Sequence, residues 1–259
     1  MKLKDIINAI ETVAPLSTQT SWDNSGWQVL PLPDDTECTG ALVCVDATPS
    51  VIAECVKCGC NLVISHHPVL FRGVKSLVGG TLAQRTVMDC VRHDIALYSS
   101  HIPTDISPKG INMRMAEMLG LKDVHVLDED TGLGVVGTLP FPLDLDEIVA
   151  HVKQKFNTDV VRASRPVDRN AKYKRVALCG GAGSDFAMRA KEAGADIYLT
   201  SDTKHHAFVD NGAEIQLLDI DHWVAEQCSR QIFFDEILEK FPNFAVSLSQ
   251  ADVNPIIYL

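Results

Sequence analysis

GALVCVDATPSVIAECVKCGCNLVISHHP, residues 40–68, decides the fold class. GALVCVDAT (40–48) is an apolar run of strand length and reads as a buried strand. Thr48-Pro49-Ser50 then opens a helix over 50–58, with proline near the first turn and Gly59 ending it. NLVIS (61–65) is the next strand, and it runs straight into His66-His67-Pro68. Strands that alternate with helices argue for an α/β architecture.

The pattern extends in both directions. Upstream, LKDIINAIETVA (3–14) has helical periodicity and stops at Pro15. Downstream, 81–93 reads as helix, 94–100 as strand and 109–119 as helix. Further on come helix 144–156, strand 174–180, helix 184–193, strand 195–200, a short helix 203–211, strand 214–220 and a long helix 222–240. A faint repeat links the halves. At an offset of 135, residues 41–65 fall on 176–200, which sets Cys44 on Cys179, Gly59 on Gly194 and Ser65 on Thr200. At an offset of 121, residues 95–100 fall on 216–221, His101 falls on His222 and Asp105 on Glu226. The expectation is two related α/β lobes, 1–127 and 128–259, parted in the stretch punctuated by Gly132, Gly134, Pro140 and Pro142.

Composition sets the outer bounds. The chain has 259 residues, 23 Lys+Arg against 34 Asp+Glu, and a formal charge of −11 with nine histidines counted neutral. Hydrophobic content of 46% excludes bulk disorder. The acidic balance argues against broad nucleic-acid or anionic-membrane binding, which rests on Lys/Arg neutralisation of phosphate. No run approaches the ~20 apolar residues of a spanning helix. The N-terminus lacks a signal-peptide core, and the cysteines read as buried hydrophobes, so a reducing cytoplasm is the expected compartment. Cys55, Cys58 and Cys60 have no visible fourth ligand with knuckle spacing and read as structural.

The histidines carry the functional signal. His66 and His67 leave a buried strand at a Pro-terminated turn, and ligands of α/β proteins bind at strand C-terminal ends. The chain bends there, so both imidazoles can aim into one cleft. For a single histidine, packing or solvation is the ordinary role. A tandem pair with His and acidic partners in both lobes favours a metal. His222 and Glu226 share a helical face at i, i+4, the geometry of paired metal ligands, although an exposed helix start would look the same. Asp105 stands on a loop after a strand and could equally cap the next helix. Five ligands exceed one tetrahedral zinc and suit two divalent ions with one bridging carboxylate. Imidazole and carboxylate do not choose among Zn, Mn, Fe, Co and Ni.

Three further stretches stay open. Gly180-Gly181-Ala182-Gly183-Ser184 is a phosphate cradle at a helix start or simply a tight turn. In Thr200-Ser201-Asp202-Thr203-Lys204-His205-His206, Lys204 could bind an anionic group and His206 act as acid or base. Ser201 or Asp202 could instead be a helix cap. Trp22-Asp23-Asn24-Ser25-Gly26-Trp27 either walls a pocket or packs on the core.

SWDNSGWQV (21–29), ISHHPVLF (64–71), SSHIPTDISPKGIN (99–112), LCGGAGSDF (178–186), GADIYLTSDTKHH (194–206) and LDIDHWVAEQ (218–227) together resemble the GTP cyclohydrolase 1 type 2 homologs, also called NGG-one-interacting-factor-three-like proteins. The resemblance implies a dinuclear site of His66, His67, Asp105, His222 and Glu226, with Glu226 bridging, in a cleft between two α/β lobes. It also implies a toroidal homohexamer. No extra domain is expected in the short 125–175 connection. The family's usual Gly-His before the bridging Glu is Asp221-His222 here. The family name implies hydrolytic opening of a guanine nucleotide ring; the candidates for the acid are then His101 or His206, with Lys204 or the glycine turn near phosphate. The expected function is therefore a metal-dependent hydrolase of a small, nucleotide-like substrate. The alternative is a non-enzymatic metal-binding or protein-interaction protein without turnover. Two divalent ions would also place about four positive charges in an acidic chain, so net charge alone does not bar an anionic substrate.

Overall fold

A computed structural model describes residues 1–166 and 168–259. The elements run α1 (Leu3–Val13), β1 (Gly26–Val29), β2 (Ala41–Cys44), α2 (Pro49–Lys57), β3 (Leu62–Ser65), α3 (Leu82–Arg92), β4 (Ala96–Ser99), α4 (Ile102–Ile106) and α5 (Ile111–Leu119). They continue with β5 (Lys122–Val126), β6 (Val135–Leu143), α6 (Leu145–Phe156), β7 (Arg162–Ala163), β8 (Tyr173–Leu178), α7 (Ala187–Glu192) and β9 (Ile197–Thr200). The last are α8 (His205–Asn211), β10 (Gln216–Asp219), α9 (His222–Glu226), α10 (Cys228–Lys240) and β11 (Val246–Leu248). The chain is a mixed α/β fold with two sheets.

It divides into two compact units: Met1–Gly110 with Gln227–Val253, and Ile111–Glu226 with Asn254–Leu259. This differs from the single expected cut at 127/128. The long helix read over 222–240 is interrupted at Gln227, and α10 and β11 belong with the first unit. The reason is packing: Phe233 and Ile237 of α10 join the apolar cluster of α1, β2, β3 and β4.

The first unit holds a five-stranded sheet, β1-β4-β3-β2-β11, parallel except for β1. Its central strands bury both faces, as parallel strands between helix layers must. Ala41, Val43, Leu62 and Ile64 face Leu3, Ile6 and Ile10 of α1, while Leu42, Cys44 and Val63 face Val51, Ile52 and Cys55 of α2. Thr48 caps α2 by accepting from the Val51 N–H, with Pro49 at the first position. No disulfide joins the cysteines among the described residues, and burial raises the Cys38 and Cys90 thiols to about 12.

The second unit holds a six-stranded sheet, β5-β6-β8-β9-β10-β7. Its centre, β8-β9-β10, is parallel. Ala177, Tyr198 and Leu217 pack with Ala187 and Ala190 of α7. The Asp144–Glu147 capping box starts α6, and Asn157 ends it in the left-handed region at φ 51°. No helix among the described residues is long and apolar enough to cross a membrane.

Candidate metal centre

In the first unit the donors stand where the parallel strands end. The ladder continues past β3: the His66 N–H donates to Cys44 O at 3.1 Å and the His67 N–H to Val45 O at 3.0 Å. The backbone of the tandem pair is therefore as fixed as the sheet. The two imidazoles lie 4.9 Å apart by centroid, and the His101 ring lies 5.2 Å from His66 and 5.7 Å from His67. His66, His67 and His101 each offer one ring nitrogen, all within 4.8 Å of one another, a group that could hold a metal ion. His66 is fully buried, and so nearly is Asp105 on α4. His66 Nε2 is 3.8 Å from Asp105 Oδ1. That exceeds a hydrogen bond and matches the spread of two ligands on one ion, about 3–4 Å for bonds of about 2 Å.

The other nitrogen of each ring is engaged. His66 Nδ1 is 3.0 Å from Ser100 O. A carbonyl only accepts, so Nδ1 carries the proton and the lone pair of the neutral ring lies at Nε2. His67 Nδ1 donates to Asp46 Oδ1 at 2.9 Å, and His101 Nδ1 to Asp23 Oδ1 at 2.8 Å. Burial alone would raise the Asp23 pKa; hydrogen bonds from His101 and Ser25 outweigh it and hold Asp23 below the usual carboxylate value. Metal-ligating histidines are commonly oriented through such carboxylate and carbonyl partners.

In the second unit α9 presents His222 and Glu226 one turn apart, with Nε2 2.9 Å from Glu226 Oε2. His222 Nδ1 donates to Asp202 Oδ2 at 2.8 Å. Glu226 is buried, and Gly181 explains how it fits: a Cβ there would overlap Glu226 Oε1. Gly181 also has φ +67°, where L side chains are disfavoured. The glycine stretch thus reads as a turn packed against a carboxylate. The helix it enters, α7, has only six residues. Lys204 and His206 sit exposed at the start of α8, and no hydrogen bond or ion pair holds either side chain among the described residues. The Ser201 and Thr203 hydroxyls are buried and have no hydrogen-bond partner among the described residues.

The donor set of imidazoles with Nδ1 tied off, plus carboxylates, fits a divalent ion of the zinc, manganese, iron, cobalt or nickel type. Sequence reasoning did not join Asp23, Asp46 and Asp202 to their histidines or Gly181 to Glu226. Asp46 and Asp202 share a readable signal, a carboxylate two residues beyond a strand end.

Residues 1–255 match the family model Duf34/NIF3 (NGG1p interacting factor 3). A GTP cyclohydrolase 1 type 2 homolog of Clostridium perfringens is 35% identical over 235 residues, 87% of each chain. One of Lactococcus lactis is 32% identical over 262 residues, 98% of each. A crystal structure of a Bacillus cereus protein related to NIF3 superposes with a TM-score of 0.91 at 20% identity, covering 100% of this chain and 99% of that one.

Proposed function

The chain belongs to the Duf34/NIF3 family, and from that premise we propose that it is a dinuclear metal-dependent hydrolase of a small, nucleotide-like substrate. One observation carries the reading. Four histidines, His66, His67, His101 and His222, each have Nδ1 bonded to a carbonyl or carboxylate, the orientation that prepares Nε2 as a ligand or a proton carrier. In this reading His66, His67, Asp105, His222 and Glu226 would hold two divalent ions. When bound, such ions supply Lewis acidity and activate water at neutral pH.

The remaining work falls to the chain. Hydrolytic opening of a nucleotide ring joins a water oxygen to the ring carbon, breaks one C–N bond and places a proton on the departing nitrogen; a second water then cleaves the remaining C–N bond of the formamide, releasing formate and leaving a proton on that nitrogen. His101 is suited to deliver that proton from Nε2, because Asp23 accepts from its Nδ1–H and orients the ring. His206 is the second candidate, and Lys204 would meet an anionic group of the substrate. The name of the curated relatives supports a guanine nucleotide as the class. The lack of disulfides among the described residues suits a reducing cytoplasm. Assembly as a toroidal homohexamer belongs to the same proposal, and sedimentation equilibrium at a single-chain mass would remove it.

The test incubates metal-loaded protein with GTP and a nucleotide panel while formate and phosphate are followed separately. Formate release, slowed about 100-fold or more in His101→Ala, supports the reading. Silence across the panel with two ions bound would leave a metal-binding protein without this turnover.

A further inference from the structure

Two large aromatic side chains flank the histidine cluster of the first unit and lie outside its core. Trp22 is 55% exposed and Phe71 48% exposed. Their rings meet edge-to-face, 6.5 Å apart at 65°, rather than stacking, so at least one face of each ring stays uncovered by the other. Each is also edge-on to His101, at 6.4 Å for Trp22 and 6.1 Å for Phe71. By contrast, Trp27 of the same turn packs against buried Tyr98 at 5.3 Å and joins the core.

The pair is built, not left over. Asn24 Nδ2 donates to Leu70 O at 2.9 Å, and the Leu70 N–H donates to Gln28 Oε1 at 3.1 Å. These bonds tie the turn carrying Trp22 to the loop carrying Phe71. Gln28 Nε2 in turn donates to Asn24 O at 2.6 Å. Asp23, next to Trp22, holds His101 Nδ1, and the His101 N–H donates to Ser25 Oγ at 3.0 Å. One hydrogen-bonded frame therefore ties together the segments that carry both rings and His101. Exposed apolar rings gain nothing from water. Exposed aromatics carried on tied segments beside a histidine offer the π-surface on which a flat heterocycle stacks.

We propose that Trp22 and Phe71 form an aromatic platform that takes the planar heteroaromatic ring of the substrate and presents it to His101. This rests on the hydrolase reading above and adds a recognition element to it. The ligand class is a purine- or pteridine-like flat heterocycle; a bare sugar phosphate lacks the surface that the platform recognises.

The test is titration calorimetry of the metal-loaded full chain with guanosine 5′-monophosphate and, separately, ribose 5-phosphate. Trp22→Ala, Phe71→Ala and Trp22→Phe are compared with the parent chain, and circular dichroism confirms their fold. The expected result is a nucleotide affinity lower by about tenfold or more in each alanine variant, largely kept in Trp22→Phe, with ribose 5-phosphate unmoved. Parallel losses for both ligands, or no loss for either, would overturn the platform. So would alanine variants that change the sedimenting mass while keeping nucleotide affinity, since the pair would then be an interface between copies. A parent chain that binds two ions and no nucleotide also overturns the platform yet leaves the metal reading standing. A parent chain that binds nucleotide through Trp22 without ions keeps the platform and removes the metal reading.

Discussion

Gly181 shows how a single missing methyl governs the candidate centre. A Cβ there would collide with Glu226 Oε1, whereas Gly59, at a similar φ of +69°, has nothing within 4 Å. The two positions share a backbone cost of about 1–2 kcal/mol for an L residue and differ in the collision. Gly181→Ala is therefore expected to weaken metal binding about tenfold or more, measured by competition with a chelator, while Gly59→Ala leaves it unchanged. Equal effects in the two variants would refute the steric account. At this scale much could be read from sequence alone. His66 and His67 stand out because two ligand-type residues close a buried strand, and His222 and Glu226 because they share one helical face. Which histidine each of Asp23, Asp46 and Asp202 meets was hidden, since each reaches its partner across 20 residues or more, and sequence spacing does not reveal the loops that converge. In the turn at 21–27, Trp27 packs on the core and Trp22 lies outside it.

Among the elements, α9 is the most dependent on its neighbours. Five residues cannot sustain a helix on their own. Asp221 caps it by accepting from the Val224 N–H at 3.2 Å, and it also accepts from Asn254 Nδ2 at 2.9 Å and Tyr258 Oη at 3.2 Å. The segment after β11 thus braces the helix that carries His222 and Glu226. The double variant Asn254→Ala, Tyr258→Phe should lower zinc affinity several-fold with the fold retained, and an unchanged dissociation constant would remove this bracing role. A second clasp is Glu54, which accepts from Ser249 Oγ at 2.5 Å and from the N–H groups of Gln250 and Ala251 at 3.0 Å. Burial acts to raise its pKa, but these hydrogen bonds, helped by Lys57, hold it below the usual carboxylate value. Because the folded pKa is depressed, the stabilisation is present above about pH 4.3 and is lost as pH falls. Urea unfolding should find Glu54→Gln less stable by about 1 kcal/mol at pH 7, with the gap closing near pH 3. A gap that widens in acid would reverse the sign. The elements that escaped sequence reading have physical reasons. Pro140 and Pro142 argue against a strand, yet both lie in β6, in the stretch where its register with β8 slips between Thr138 and Leu143. There the ladder does not need the proline N–H that is missing. β11 spans three residues and β7 two, too short to show a period.

Across the whole molecule the faint repeat becomes topology. β2-β3-β4 and β8-β9-β10 are each three parallel strands joined by helices. In each sheet the third strand takes an antiparallel partner, β1 on β4 and β7 on β10. The pairing β3 to β9 is residue for residue at the offset seen in the sequence, 62–65 onto 197–200. The boundary was less legible, because α10 and β11 complete the first sheet from the far end of the chain, a long-range choice that local periodicity does not encode. The acidic charge of −11 is compatible with an anionic substrate if ions supply the local positive field. That condition is the central claim, and elemental analysis of the full chain purified without added metal tests it most directly. The account predicts about two divalent ions per chain, removed by chelation and reduced in His66→Ala and His222→Ala. A stoichiometry near zero that neither chelation nor these substitutions change would contradict it.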